Sequence, residues 1–166
     1  MSATMQQTAG APQAVRPLYT PQERARRDAT RWTLVQGILA PVQFLVFLVS
    51  LALVLRYLAT GDGYAAANAS VIVKTVCLAL IMVTGAIWEK VVFGQYLFAP
   101  SFFWEDVFSF AVIALHTAYV WGLVTGSMGP ETLMLTALAA YVTYVINAGQ
   151  FVLKLRRARL DAGVAA

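Results

Sequence analysis

The chain has 166 residues, of which 60% are apolar and only 12% charged; twelve Lys and Arg against eight Asp and Glu leave a formal net charge of +4. Soluble domains carry about 45–50% apolar and about 25% charged residues, and a small domain cannot hide such an apolar excess from water. Composition therefore excludes an ordinary soluble domain and a disordered chain, and the single cysteine, Cys77, excludes an intrachain disulfide or a thiolate metal cluster. A mean hydropathy of +0.69 places the chain among integral membrane proteins. The basic residues gather towards the chain ends beside apolar runs, the pattern of a protein held against an anionic leaflet rather than of a nucleic-acid binder.

Residues 1–15 carry no charged side chain and no long apolar run, so the two halves of a signal peptide are missing. Residues 1–17 are expected to form a disordered tail, 18–160 a single membrane domain and 161–166 a C-terminal tail. At Thr20-Pro-Gln-Glu23 a helix starts: Thr caps it, Pro suits its first turn, and Glu three residues after the cap closes a capping box. Arg24, Arg26, Arg27 and Arg31 follow, which predicts a short basic amphipathic helix at the headgroups.

Four apolar segments come next, roughly Trp32–Leu58, Ala69–Trp88, Phe103–Thr125 and Leu133–Leu153. Each reaches or approaches the ~20 residues that cross a ~30 Å hydrocarbon core. Pro41 should kink the first or open its hydrogen-bond ladder. Thr60–Gly63 and Gly126–Pro130 read as turns, and Val91–Phe102 as an interfacial or re-entrant stretch too broken to span. The fold class is all-α, a bundle of four transmembrane helices preceded by the basic helix. Arg16 to Arg31 at one end and Lys154, Arg156, Arg157 and Arg159 at the other put both termini and the 89–106 loop in the cytoplasm.

Polar groups inside a membrane are costly, and each is a functional candidate. Gln36 and Gln43 share a helix face; Glu89 and Lys90 end the second span; Glu105 and Asp106 open the third. Eleven steps of about 100° bring His116 back onto the stripe of Glu105 and Ser109, about 16 Å along the helix. Asn147 and Gln150 lie near the end of the fourth span. Nearly all of these fall in the cytoplasmic half, which predicts a polar pocket there and an almost purely aliphatic outer half. Lys74 is expected to snorkel to the outer surface, Cys77 to pack, and Gly122-xxx-Gly126 to mark a close helix contact. The amides equally suit interhelical hydrogen bonds, the carboxylates a helix N-terminus or interface, and His116 a buried structural role. Phosphate loops, dinucleotide fingerprints, Cys clusters and a Ser-His-Asp set are absent from the sequence. The remaining inventory fits proton transfer or hydration without a redox cofactor, or simple binding.

The run from Leu18 to Phe47, with Ile87-Trp-Glu-Lys90, Phe93-Gly-Gln-Tyr-Leu-Phe-Ala-Pro100, Phe103-Trp-Glu-Asp106, Ala114-Leu-His-Thr-Ala-Tyr119 and Asn147-Ala-Gly-Gln-Phe151, resembles the 3-vinyl bacteriochlorophyllide hydratase family over about residues 18–160. The resemblance implies a multi-pass hydro-lyase of a bacterial inner membrane, acting in bacteriochlorophyll synthesis. Its expected partners are the bilayer, a chlorophyllide-type tetrapyrrole and other enzymes of that synthesis. It would add water across the C3-vinyl group, with no cofactor beyond the magnesium of the substrate. No site residues come with it. Chemistry makes Glu105 the expected acid, with Asp106 or Glu89 ionised to stabilise the cation and orient water. His116 becomes the candidate axial ligand to the substrate magnesium; His116, Gln43, Asn147, Gln150 and Lys90 the candidate substrate-binding set; and Arg24, Arg27, Arg31 or Lys90 the partner of the propionate. The rival from another class is a non-catalytic pigment-binding or assembly protein.

Overall fold

A computed structural model describes residues 17–164, and among them the chain is entirely helical. Helix α1 (Pro21–Ala29) opens on the expected box: the Thr20 hydroxyl accepts from the Glu23 amide at 3.3 Å, and the Thr20 amide donates to the Glu23 carboxylate at 2.7 Å. Thr30 adopts an extended conformation (ψ 138°), which breaks the helix and caps the next, its hydroxyl accepting from the Trp32 amide. The long helices are α2 (Arg31–Thr60), α3 (Tyr64–Phe93), α4 (Phe103–Thr125) and α5 (Pro130–Val164). All four are long and apolar enough to cross a membrane, so the chain is a multi-pass membrane protein. Most of the tail expected at 1–17, and residues 165–166, lie outside the described residues.

The bounds of α3 differ from expectation, Tyr64–Phe93 against Ala69–Trp88. Helix α3 runs through Val91–Phe93 and stops only at Gly94, whose φ of 87° is left-handed. An apolar run ahead of a glycine continues a helix, and a left-handed residue ends it; the linker is therefore only Gly94–Phe102. Helix α2 is continuous through Pro41.

Helix α2 packs mainly on α3, and α4 on α5. The larger apolar core, including Phe47, Val54, Val71, Tyr119, Leu133, Met134 and Tyr141, serves the half nearer the two short hairpins. There Gly122 makes room for Met128, since a Cβ at Gly122 would meet its Sδ at 2.5 Å, and Gly126 is a left-handed C-cap. The Gly122-xxx-Gly126 pair thus shapes its own hairpin rather than a helix crossing. A smaller core of Tyr19, Val92 and Phe102, with Leu18, Trp88, Phe93 and Phe151, closes the opposite end. There Ser101 donates to the Leu18 carbonyl at 2.8 Å and Arg26 to that of Val92 at 3.1 Å, so the segment leading into α1 is tied to the α3–α4 linker and α1 itself to the end of α3.

Candidate functional site

The end closed by α1 holds three acidic side chains in the interior. Glu89, Glu105 and Asp106 are 6%, 4% and 4% exposed. Glu89 comes from the last turn of α3, and the other two from the first turn of α4, where the helix dipole favours negative charge. The Glu89 and Asp106 carboxyls are neighbours, both turned to the α3–α4 linker and held on its adjacent amides. The linker supplies the donors: the Phe98 amide to Asp106 at 2.6 Å, and the Ala99 amide to Glu89 at 3.3 Å. Phe98 reaches its carboxylate in a left-handed conformation, φ 59°, which costs an ordinary L-residue about 1–2 kcal/mol. Its ring is held 5.5 Å from Phe110 and 5.6 Å from Phe103.

Glu105 is engaged differently. Its carboxylate is ion-paired with Lys154 of α5, whose Nζ also donates to the Ser101 carbonyl at 2.6 Å. In the sequence Lys154 is only a flanking positive charge. It follows Asn147 and Gln150 by seven and four residues, which puts all three on one face of α5, and that spacing was the available signal. Over the carboxyls lies an aromatic box in which Phe102 packs 5.7 Å from Trp88 and 5.8 Å from Phe93 and Phe151, while Tyr19 stacks on Phe93. Burial pushes the Tyr19 hydroxyl above the usual phenol range, with Arg27, 4.7 Å over its ring, acting in the opposite sense.

The other predicted residues fall into two groups. Lys90 points out, donating to the Gly94 carbonyl at 2.7 Å as a C-cap, while its neighbour Glu89 points in. Below the carboxyls, Asn147 donates to Ser109 at 2.7 Å and Gln36 to Thr84 at 2.8 Å; Gln43 is buried on the same face of α2. The Asn147 Oδ1 and Gln150 Oε1 atoms are buried without a partner among the described residues.

His116 lies deeper, on the buried stripe of α4 with Glu105, Ser109, Val112 and Tyr119. Its Nδ1–H donates to the Val112 carbonyl at 2.8 Å, which leaves Nε2 buried and unpartnered among the described residues. Beside it the structure overturns two expectations. Lys74 does not snorkel: it is 0% exposed, its Nζ 3.7 Å over the Tyr144 ring and otherwise unpartnered among the described residues. The half nearer the two short hairpins, expected to be the outer and almost purely aliphatic one, is not purely aliphatic either, since Ser50 bonds Tyr141 at 2.5 Å and Ser70 at 2.7 Å, and Tyr119 bonds Asn68. Lys74 sits on the inward stripe of α3 with Ala67, Val71 and Leu78, so helix phase keeps it from the surface.

No solved structure matches the chain. The family described as 2-vinyl bacteriochlorophyllide hydratase matches residues 19–157; its position 2 is the vinyl position numbered 3 above. A relative of that description from Cereibacter sphaeroides is 76% identical over 147 residues, covering 88% of this chain and 91% of its own length. Another from Rhodobacter capsulatus is 72% identical over 146 residues, covering 87% of this chain and 84% of its own length. The chain belongs to the 2-vinyl bacteriochlorophyllide hydratase family.

Proposed function

We propose that this chain is a membrane hydro-lyase of bacteriochlorophyll synthesis that adds water across the 3-vinyl group of a bacteriochlorophyllide-type macrocycle, giving a 1-hydroxyethyl group. Family membership supplies the substrate class. The observation that carries the chemistry is the buried pair of Glu89 and Asp106, held on adjacent linker amides beside an aromatic box. Hydration needs a proton on the terminal vinyl carbon, and the cation left on the internal carbon is delocalised into the ring. Two neighbouring buried carboxyls favour sharing one proton, and that shared proton is the proposed donor. Glu105, already ion-paired with Lys154, stays a carboxylate that orients the water and stabilises the cation. The roles expected of Glu105 and of Asp106 or Glu89 are thereby exchanged within the same trio. Water attacks the internal carbon and gives up a proton, which restores the pair. Both termini and the Gly94–Phe102 linker face the cytoplasm, because the basic flanks lie at that end and neither short hairpin carries a basic residue.

His116 Nε2 has the free lone pair that an axial ligand to the substrate magnesium needs, with Nδ1 already committed. Gln43, Asn147 and Gln150 line the interior between His116 and the carboxyls and serve as binding groups. Lys90, which caps α3, contributes to the substrate site only through the linker it holds.

The test is an anaerobic incubation of membranes carrying this chain with 3-vinyl bacteriochlorophyllide and no nucleotide. A product heavier by one water, with a blue-shifted red band, is expected. Pigment that co-purifies unchanged would replace catalysis with a binding or assembly role.

A further inference from the structure

A chlorophyllide is an apolar plate with one free carboxylate, the propionate arm. In a bilayer that carboxylate must stay near water while the plate sits among apolar groups. The cations at the carboxyl end are unequally available. Arg26 is committed to the Val92 carbonyl, Arg27 to Asp28 at 2.7 Å and to the Tyr19 ring, and Lys90 to the Gly94 carbonyl. These hold the fold together. Lys154 is neutralised by Glu105. Arg157, three residues further along α5, is exposed and in neither of the ion pairs among the described residues; so are Arg24, Arg31, Arg156 and Arg159, from which its position at a cleft sets it apart.

Arg157 also borders a cleft of about 340 Å³ whose lining includes Leu18, Leu153, Glu105, Gln150 and Lys154. Leu18 and Leu153 give it apolar walls. The Glu105–Lys154 pair and the partnerless Gln150 Oε1 form its polar part. Glu105 adjoins the Glu89–Asp106 pair, so the cleft joins the interface to the proposed reaction centre.

We infer that this cleft is the carboxylate subsite, in which the Arg157 guanidinium binds the propionate of the substrate and fixes which edge of the plate reaches the acid. The inference rests on the hydratase reading and names the specificity determinant of that site. Arg157 carries the uncompensated positive charge there, and a guanidinium meets a carboxylate with two parallel hydrogen bonds. Lys154 offsets the repulsion between that carboxylate and Glu105. The subsite therefore selects the free acid against its ester, which keeps the bulk and loses the charge.

The experiment compares 3-vinyl bacteriochlorophyllide with its methyl ester, in one detergent, for the full chain and for Arg157→Gln and Arg157→Lys. Both turnover and pigment binding are followed. The wild type is expected to show KM and Kd about tenfold lower for the acid, a loss of one charge-assisted contact. Arg157→Gln should raise the acid values to those of the ester, and Arg157→Lys should restore part of the preference. Equal values for acid and ester in the wild type would overturn the subsite. So would an Arg157→Gln variant that weakens both ligands alike, since that is the behaviour of a structural arginine. Acid-selective binding without turnover would keep the subsite and defeat the hydratase reading; neither binding preference nor turnover would defeat both.

Discussion

The two polar layers of this bundle handle charge in opposite ways. At the α1 end, every buried carboxyl has a partner: Glu105 has Lys154, Asp106 the Phe98 amide and Glu89 the Ala99 amide. In the middle layer, Lys74 Nζ and His116 Nε2 are buried and unpartnered among the described residues, with aromatic faces as their main company. The carboxyls of the first layer are satisfied before any ligand arrives, and the groups left open beside them, Gln150 Oε1 and Arg157, lie in the cleft. The second keeps open valences, the condition for receiving a group from elsewhere. Preorganised charge and unspent coordination are different resources, and this fold stores them at different depths.

Mutations can break or sharpen that contrast. The largest effect is expected at the carboxyl pair, where Glu89→Gln and Asp106→Asn should each lower hydration by about 10²–10⁴-fold, the range for loss of a general acid. Retention of helical circular dichroism and pigment binding would separate this from misfolding. Near-normal turnover in both would move the acid away from this layer. Lys154→Met leaves Glu105 buried and unpaired, which should cost roughly 2–4 kcal/mol in a denaturation measurement, towards the low side because Lys154 is partly exposed. Adding Glu105→Gln should recover most of that loss, and a double mutant no more stable than the single would show that the pair is not coupled. Thr20→Ala should cost about 1 kcal/mol, read as faster amide exchange confined to α1, the element closing the carboxyl layer. Smallest of all, Lys74→Met should leave stability within about 1 kcal/mol of wild type or raise it, since an apolar side chain of similar length replaces an ammonium that lacks a counter-ion. A large loss of stability there would mean that the middle layer is as fully partnered as the first.

How far the sequence reached follows the same division. The Thr20 capping box, the α4 span Phe103–Thr125 and the Glu105–Ser109–His116 stripe are local facts, written in three- and four-residue spacings, and all three are present in the structure. Which charge meets which is not local. The partner of Glu105 is 49 residues away, and nothing within α4 points to it. Lys74 was misread for another reason: hydropathy says how far a charge lies from a helix end, while phase says which way it faces, and on α3 phase prevails. The end of α3 was misplaced because Val91–Phe93 shares the apolar, aromatic character of the linker beyond Gly94.

On the proposed mechanism, the tether between the Gly94–Phe102 linker and the two carboxyls couples the linker to their charge. Hydrogen bonds to an ionised acceptor are roughly twice as strong as neutral ones. A proton leaving and returning to the Glu89–Asp106 pair, as proposed, would tighten and then slacken the bonds from Phe98 and Ala99. Phe98, in its left-handed conformation, acts as a spring against that latch. The linker would thus be held hardest while the proposed cation exists and loosened once water has added.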